Sequence, residues 1–276
     1  MGREIVKSSA GATPSYRFLK SVIVVPIIKL LWHAKITGSQ NIPPTGGIVL
    51  AGNHIAAMDA VVLAGMINRP VAYPGKPELF LGERGLGSRI VAWLAHHTGQ
   101  IALDRSGGAA STAAFAPLQK RLNDGGVIGI YPEGTRSPDG RMYRGKTGVA
   151  RIALAANVPI VPVAAFHTKE FKSRVGIPWV ANPRIVVGKP LHFPQYAGRV
   201  NDYQVLRWVT DSVMRAVQEL SEQEFVDVYA SQVKYSAVSA AEVEAAKKPY
   251  PGFGTVAPPE NPKEPDGEIQ TSDMES

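Results

Sequence analysis

The sequence predicts an α/β fold in which helices flank a largely parallel central sheet. Short apolar runs alternate with helical stretches along most of the 276 residues, as expected when parallel strands are joined by helices. Two of these runs, residues 127–131 and 158–164, are continuously apolar and are typical of buried strands. The chain is long enough to bury a sizeable core, in one large domain or two small ones.

Residues 1–34 are predicted to form a polar leader and a helix that lies in a membrane interface. Residues 16–32 combine aromatic and branched apolar side chains with Lys20, Pro26 and Lys29. Such a pattern favours an interfacial helix, although an ordinary core-packing helix kinked at Pro26 fits it as well. The apolar core of this segment, residues 22–28, is far shorter than the roughly 20 residues that a spanning helix needs.

Residues 35–235 contain the predicted strands and helices of the main domain. The strands are expected at residues 35–38, 47–50, 70–74, 99–105, 127–131, 158–164 and 185–191. Helical patterns occupy residues 60–66, 90–95, 109–122, 148–156 and 203–233. Residues 236–276 are expected to be a mostly disordered tail rich in proline and acid, apart from a helical stretch at 237–246.

The charge of the chain is positive and unevenly distributed. Lysine and arginine outnumber the acids by 30 to 23, and the six acids and one base of residues 260–276 leave the preceding part at about +12. A basic body indicates an anionic partner, such as nucleic acid, an anionic membrane surface or a phosphorylated substrate. The absence of cysteine from the sequence excludes disulfides, thiolate metal sites and cysteine nucleophiles.

His54 and Asp59 are the first candidates for catalysis. They follow the predicted strand at residues 47–50, where loops of α/β sheets often carry functional groups. An imidazole can take a proton from a hydroxyl, and a carboxylate on its other nitrogen fixes the tautomer. Five residues span roughly 140° of an ideal helix, so the two side chains meet only if His54 precedes the helix. Otherwise His54 caps a helix and Asp59 is solvated.

Three further loops follow predicted strands and carry charged side chains. They contain Lys76 and Glu78, then Asp104 and Arg105, and finally the run Glu133, Gly134, Thr135 and Arg136. The carboxyl ends of parallel strands lie at one edge of a sheet, so these loops are expected to converge on the loop of His54. Arginine binds phosphate oxygens, and Gly134 would let backbone N–H groups approach an anion. Glu133 is expected to bind a polyol hydroxyl or to hold an arginine.

The sequence resembles the lysophosphatidic acid acyltransferase (1-acyl-sn-glycerol-3-phosphate acyltransferase) family, within the wider glycerolphosphate acyltransferase group. The similarity runs from about residue 38 to 191 and rests on four segments in order. They are Asn53-His54 with Asp59, Ile101 to Arg105, Tyr131 to Ser137, and Val158 to Val163.

The resemblance implies an acyl transfer in which His54 is the general base and Asp59 orients it. The deprotonated glycerol hydroxyl attacks the thioester of acyl-CoA or acyl carrier protein, which are co-substrates, and no cofactor or metal is expected. Binding of the acceptor's phosphate and glycerol is implied for Arg105, Glu133, Gly134, Thr135 and Arg136, with Lys76 and Lys146 as further basic candidates.

The expected activity is the conversion of a 1-acyl-glycerol 3-phosphate into phosphatidic acid at the cytoplasmic face of the cell membrane, by a peripheral or monotopic protein. The partners are then a phosphorylated glycerolipid, acyl-CoA and the membrane surface. The same chemistry on glycerol 3-phosphate or a glycolipid stays open. A non-enzymatic module that binds anionic lipid is the alternative from another class. A nucleic-acid role is not expected, because no RNP-like aromatic pattern or zinc motif is present.

Overall fold

The structure is a computed structural model that describes residues 14–75, 81–83, 85, 89, 92, 100–102, 115–172, 178–254 and 259. The predicted helix at 90–95 lies largely outside these residues, and so does the start of the one predicted at 109–122.

A six-stranded sheet forms the centre of the molecule. Its strands are β1 (Lys35–Thr37), β2 (Ile48–Gly52), β3 (Val71–Ala72), β6 (Val127–Ile130), β8 (Ile160–Phe166) and β11 (Arg184–Val187). They lie in the order β1-β11-β8-β2-β6-β3 across the sheet. Strands β8, β2, β6 and β3 are mutually parallel, whereas β11 runs antiparallel to β8 and pairs in parallel with β1. The prediction of a largely parallel sheet is therefore confirmed.

Seven α-helices are described around the sheet. They are α1 (Pro14–Phe18), α2 (Met58–Met66), α3 (Ala116–Asn123), α4 (Gly148–Ala156), α5 (Tyr203–Ser221), α6 (Ala230–Lys234) and α7 (Ala240–Ala245). Helix α1 continues into π-helical turns at Leu19–Val24 and Ile27–Leu31. Short 3-10 turns occur at Ser39–Asn41 and Pro194–Tyr196.

Successive side chains of β2 point to opposite faces of the sheet, and different helices cover each face. Val49 and Ala51 pack with residues of α3, α4 and α5, whereas Ile48 and Leu50 pack with residues of α2 and of the N-terminal helical segment. All five residues of β2 are buried, as expected for a central strand covered on both faces. The turn that follows β2 therefore starts from a rigid support.

The N-terminal helical segment, residues 14–31, packs on α2 through one side only. Ile28 is buried against Gly65 of α2, and the Lys20 ammonium donates to the carbonyl of Ile67. The opposite side exposes large apolar side chains, namely Phe18, Val22, Ile23, Leu30 and Leu31. In the part of the chain that the structure describes, no helix combines the length and apolarity needed to cross a membrane.

A second, three-stranded sheet extends the folded body beyond residue 235, where the sequence placed the end of the main domain. Strand β12 (Phe225–Val226) pairs in parallel with β7 (Met142–Tyr143) and antiparallel with β13 (Lys247–Lys248). Val243 of α7 is buried with Tyr143 and Val226. Residues 236–254, which the sequence assigned to the tail, are therefore part of the structured region of the chain. Residues 260–276 lie outside the described part.

Two further pairs of short strands complete the fold. Strand β4 (Pro74–Gly75) runs parallel to β5 (Ile101–Ala102), and β9 (Phe171–Lys172) runs antiparallel to β10 (Pro178–Trp179). The first pair continues the chain from β3 at the edge of the central sheet.

We predict that Gly129→Ala in β6 destabilises the protein by about 1–3 kcal/mol. A Cβ on Gly129 would overlap the ring of Tyr73, with two ring carbons at 2.7 Å. Urea unfolding of the purified variant measures the loss. Gly148→Ala is the matched control, because its Cβ would meet the nearest atom at 3.9 Å. Equal stability of the two variants would contradict the prediction.

Candidate active site

His54 lies in the turn between β2 and α2, as the spacing to Asp59 requires. Residues 53–57 are not helical, and Asp59 is the second residue of α2. The His54 Nδ1 atom is 2.9 Å from Asp59 Oδ2. The predicted geometry of the pair is therefore confirmed, and the alternative in which Asp59 is solvated is wrong, since the residue is 1% exposed.

Asp59 holds the whole turn through hydrogen bonds to its carboxylate. Its Oδ2 atom also accepts the backbone N–H groups of Ile55 and Ala56, at 2.8 and 2.9 Å. The Thr168 hydroxyl donates to its other oxygen, Oδ1. Because a carboxylate only accepts, His54 must donate from Nδ1, and this leaves Nε2 with a free lone pair. Among the described residues Nε2 forms no hydrogen bond, so it is available to a hydroxyl proton.

Tyr131 packs flat against the imidazole of His54. The two rings are 4.0 Å apart and nearly parallel, and the ring of Tyr73 stacks with that of Tyr131 at 5.8 Å. The aromatic face of Tyr131 therefore borders the imidazole. Burial raises the pKa of the Tyr131 hydroxyl, which keeps that group neutral.

Glu133 supports the turn of His54 from the interior of the protein. Its side chain is fully buried and accepts the backbone N–H of His54 at 3.3 Å and that of Tyr143 at 3.0 Å. Within the described residues neither an arginine nor open solvent reaches it, and its expected role toward a polyol hydroxyl or an arginine stays a prediction. Burial raises the pKa of Glu133 to about 8, although the two N–H donors act in the opposite direction.

The loop after Glu133 places basic and polar groups beside His54. The Ser137 N–H donates to the carbonyl of His54 at 2.7 Å, which fastens the loop to the turn. Gly134 adopts a positive φ of 76°, and its N–H closes a turn onto the Tyr131 carbonyl. The N–H of Gly134 itself is therefore already used, and the expected approach of backbone N–H groups to an anion stays a prediction. Arg136 is exposed, and Thr135 is half-buried.

Two lysines join this loop from other elements. The side chain of Lys146 lies beside Gly134. A Cβ atom added to Gly134 would be 3.2 Å from the Cδ and Cε atoms of Lys146. Lys234, at the end of α6, places its ammonium 3.4 Å from the Thr135 hydroxyl. Together with Arg136 they form a basic rim, which we define as Arg136, Lys146 and Lys234. Such a rim attracts an anionic group such as phosphate.

The remaining predicted site residues, Lys76 and Arg105, lie outside the described residues, as do Glu78 and Asp104. The strands before them are described. Strand β3 is parallel to β6, and β4 is parallel to β5. Their expected role in phosphate binding stays a prediction.

Sequence reasoning missed Thr168 and gave no role to Asn53, and both of these buried residues hold the site. Thr168 follows β8 by two residues, at the same edge of the sheet as His54, and the strand-end rule extended to β8 would have found it. Asn53 bridges β2 to β8 by exchanging hydrogen bonds with the backbone of Ala165, and it also donates to Gln223 at 2.9 Å. The position of Asn53 directly before His54 in the sequence was the signal that could have indicated this role.

Comparison with known proteins connects this geometry to one family. Residues 33–165 match the sequence profile of the Acyltransferase family. The solved 1-acyl-sn-glycerophosphate acyltransferase of Thermotoga maritima has a similar fold, with a TM-score of 0.54 and 24% sequence identity. The match covers 74% of this chain and 80% of that one.

Curated relatives carry the same family name as the resemblance noted in the sequence. The chain is 32% identical over 158 residues to a 1-acyl-sn-glycerol-3-phosphate acyltransferase of Borreliella burgdorferi, a match that covers 55% of this chain and 61% of the relative. A Bacillus subtilis protein of that name is 26% identical over 210 residues, covering 74% of this chain and 96% of the relative. The chain thus spans about three fifths of the Borreliella protein and nearly all of the Bacillus one.

We predict that Glu133 makes the folded state less stable as the pH rises. Its pKa is about 8 when folded and near the usual 4.5 when unfolded. The proton therefore stabilises the fold fully below pH 4.5, and this contribution is lost as the pH rises to about 8. The free energy of unfolding of the wild type, relative to Glu133→Gln, should fall by a few kcal/mol over this interval.

Urea unfolding between pH 4.5 and 8.5 measures that difference. Glu219→Gln, at an exposed position of α5, is the matched control and should show no such trend. A wild-type stability that stays constant or increases relative to Glu133→Gln would contradict the prediction.

Proposed function

We propose, from the match of residues 33–165 to the Acyltransferase family profile, that the protein transfers a fatty acyl group to the free hydroxyl of a 1-acyl-glycerol 3-phosphate. The product is phosphatidic acid, and the process is phospholipid biosynthesis. The observation that carries the proposal is the 2.9 Å contact between His54 Nδ1 and buried Asp59, in a turn next to the basic rim. The names of the Borreliella and Bacillus relatives support this choice of acceptor.

The His54 Nε2 atom takes the proton of the acceptor hydroxyl as the hydroxyl oxygen attacks the carbonyl carbon of the acyl thioester. A C–O bond forms, and the C–S bond breaks. The leaving thiolate receives a proton that the imidazolium can return, so His54 is regenerated. Asp59 stabilises the imidazolium while it exists, as in other His–Asp pairs. Acyl-CoA or acyl carrier protein is the donor, and the reaction as written requires no cofactor.

The acceptor's phosphate is proposed to bind at the basic rim. Arg136 and Lys146 are exposed, the side chain of Lys146 lies beside Gly134, and Thr135 adds a hydroxyl. Arginine offers bidentate donors to phosphate oxygens. Arg105 and Lys76 are proposed as further ligands on the resemblance alone. Glu133 is omitted from this set, because its carboxylate is buried and bonded to two backbone N–H groups.

The N-terminal helical segment is proposed to place the protein on the cytoplasmic face of the cell membrane, as a peripheral or monotopic protein. Its exposed apolar side is flanked by the exposed basic residues Arg17 and Lys29. Such a side buries its apolar groups at the headgroup boundary, while the basic residues contact anionic lipid. A protein seated there would meet an acceptor that is itself a lipid.

We predict that His54→Ala lowers the rate of phosphatidate formation at least about a hundredfold, because general-base catalysis contributes that much or more. The assay contains purified protein, labelled acyl-CoA and 1-acyl-glycerol 3-phosphate, and it measures phosphatidate and free thiol together. His192→Ala is the matched control. His192 is exposed and follows Leu191, which pairs with the first residue of β8, at the opposite edge of the sheet.

Full activity of His54→Ala would reject the catalytic assignment. Glycerol 3-phosphate and a glycolipid, tested in parallel, identify the alternative acceptors. A wild-type protein that binds anionic vesicles but forms no acylated product with any acceptor would establish the non-enzymatic module instead.

We predict that the triple substitution Phe18→Ser, Val22→Ser and Leu30→Ser abolishes binding to vesicles of phosphatidylcholine and phosphatidylglycerol. These side chains are 64%, 55% and 71% exposed and lie on the N-terminal helical segment. Vesicle flotation measures the bound fraction. Tyr203→Ser, 61% exposed at the start of α5, is the control and should bind normally. Undiminished flotation of the triple variant would exclude the segment as the membrane contact.

A further inference from the structure

The two carboxylate oxygens of Asp59 have different partners. Oδ2 receives His54 Nδ1 and the N–H groups of Ile55 and Ala56, all from the turn that Asp59 closes. Oδ1 receives the hydroxyl of Thr168, which lies beyond the end of β8 and 109 residues further along the chain. Asp59 and Thr168 are 1% and 0% exposed, so solvent does not compete for this contact.

We propose that Thr168 is a positioning residue for the base, fixing the rotation and the charge of the Asp59 carboxylate. This inference rests on the proposed function, in which His54 accepts the hydroxyl proton. Thr168 lies just beyond the segment, residues 33–165, that matches the family profile.

The geometry explains why a second anchor is needed. The terminal torsion of an aspartate is broad, so one bonded oxygen does not by itself hold the carboxylate plane. Thr168 supplies the second point from the segment that follows β8, a strand that pairs directly with β2 along Val49–Gly52. Its branched side chain has few rotamers, so the hydroxyl keeps its direction. The carboxylate is thereby held between the segments that follow two adjacent strands of the sheet.

The same hydrogen bond affects the protonation of His54. When His54 is neutral, the negative charge of Asp59 is stabilised only by hydrogen-bond donors such as the Thr168 hydroxyl. When His54 is protonated, the imidazolium also balances that charge, so the hydroxyl contributes less. Loss of the hydroxyl therefore favours the imidazolium, which cannot act as a base. Tyr131 and Glu133, both from the segment after β6, also interact electrostatically with Asp59. Neither is altered by a substitution at Thr168.

The test compares Thr168→Val, Thr168→Ala and Thr168→Ser in the phosphatidate assay across pH. The Val and Ala variants should lose about tenfold or more in kcat, as expected for a lost hydrogen bond to a charged group, with unchanged KM for both substrates. The acid limb of their pH–rate profiles should move to higher pH. The Ser variant keeps a hydroxyl and should retain the wild-type kcat and profile.

Thr210→Val is the matched control, because Thr210 is also fully buried but donates to the Leu206 carbonyl within α5. It should lower thermal stability without moving the pH profile. If Thr168→Val does not fold, Thr168→Ala carries the comparison, since it removes the hydroxyl without placing a methyl group against the carboxylate.

A second readout needs no substrate. The NMR chemical shift of the proton on His54 Cε1 follows the protonation of the imidazole as the pH is varied. The midpoint of this titration should move to higher pH in Thr168→Ala and stay unchanged in Thr168→Ser and Thr210→Val. Absence of phosphatidate with the wild type would refute the proposed function, while this titration would still test Thr168. Unshifted midpoints and profiles in folded Thr168→Val and Thr168→Ala would overturn the inference, as would a shift in Thr168→Ser equal to theirs.

Discussion

The buried carboxylate of Asp59 is the constraint on which the rest of the site depends. A charge in the interior is costly unless donors surround it, and here four groups donate to it, from His54, Ile55, Ala56 and Thr168. To bring three of these donors to one oxygen, the chain after β2 must turn before α2 begins. The negative charge also lies in the first turn of α2, where the helix dipole favours it. His54 is therefore oriented by the same bonds that shape the turn.

The central sheet and the His–Asp pair were predictable because both follow from local patterns. Continuous apolar runs such as β8 indicate buried parallel strands, and the polar residues that follow them lie at one edge. The spacing of His54 and Asp59 allowed one productive geometry, with the histidine before the helix, and the structure confirms it.

Other parts of the site depend on burial and long-range contacts, which residue types alone do not reveal. Glu133 is a charged residue in a glycine-containing loop, yet the turn that Gly134 closes directs it beneath His54. The strand-end rule places Thr168 at the edge of the sheet that carries His54, but its residue type does not reveal that its partner is Asp59, 109 residues away. The stretch after residue 235 is polar in composition, and only the pairing of β12 and β13 and the packing of Val243 place it in the fold.

Asp59 holds His54 as the tautomer that leaves Nε2 free to accept a proton. The ¹⁵N NMR shifts of the imidazole, assigned by their loss in His54→Ala, report this tautomer at a pH where the wild type is active. We expect a protonated Nδ1 and an unprotonated Nε2. A spectrum with the proton on Nε2 would contradict this expectation, because that nitrogen could then not act as the base.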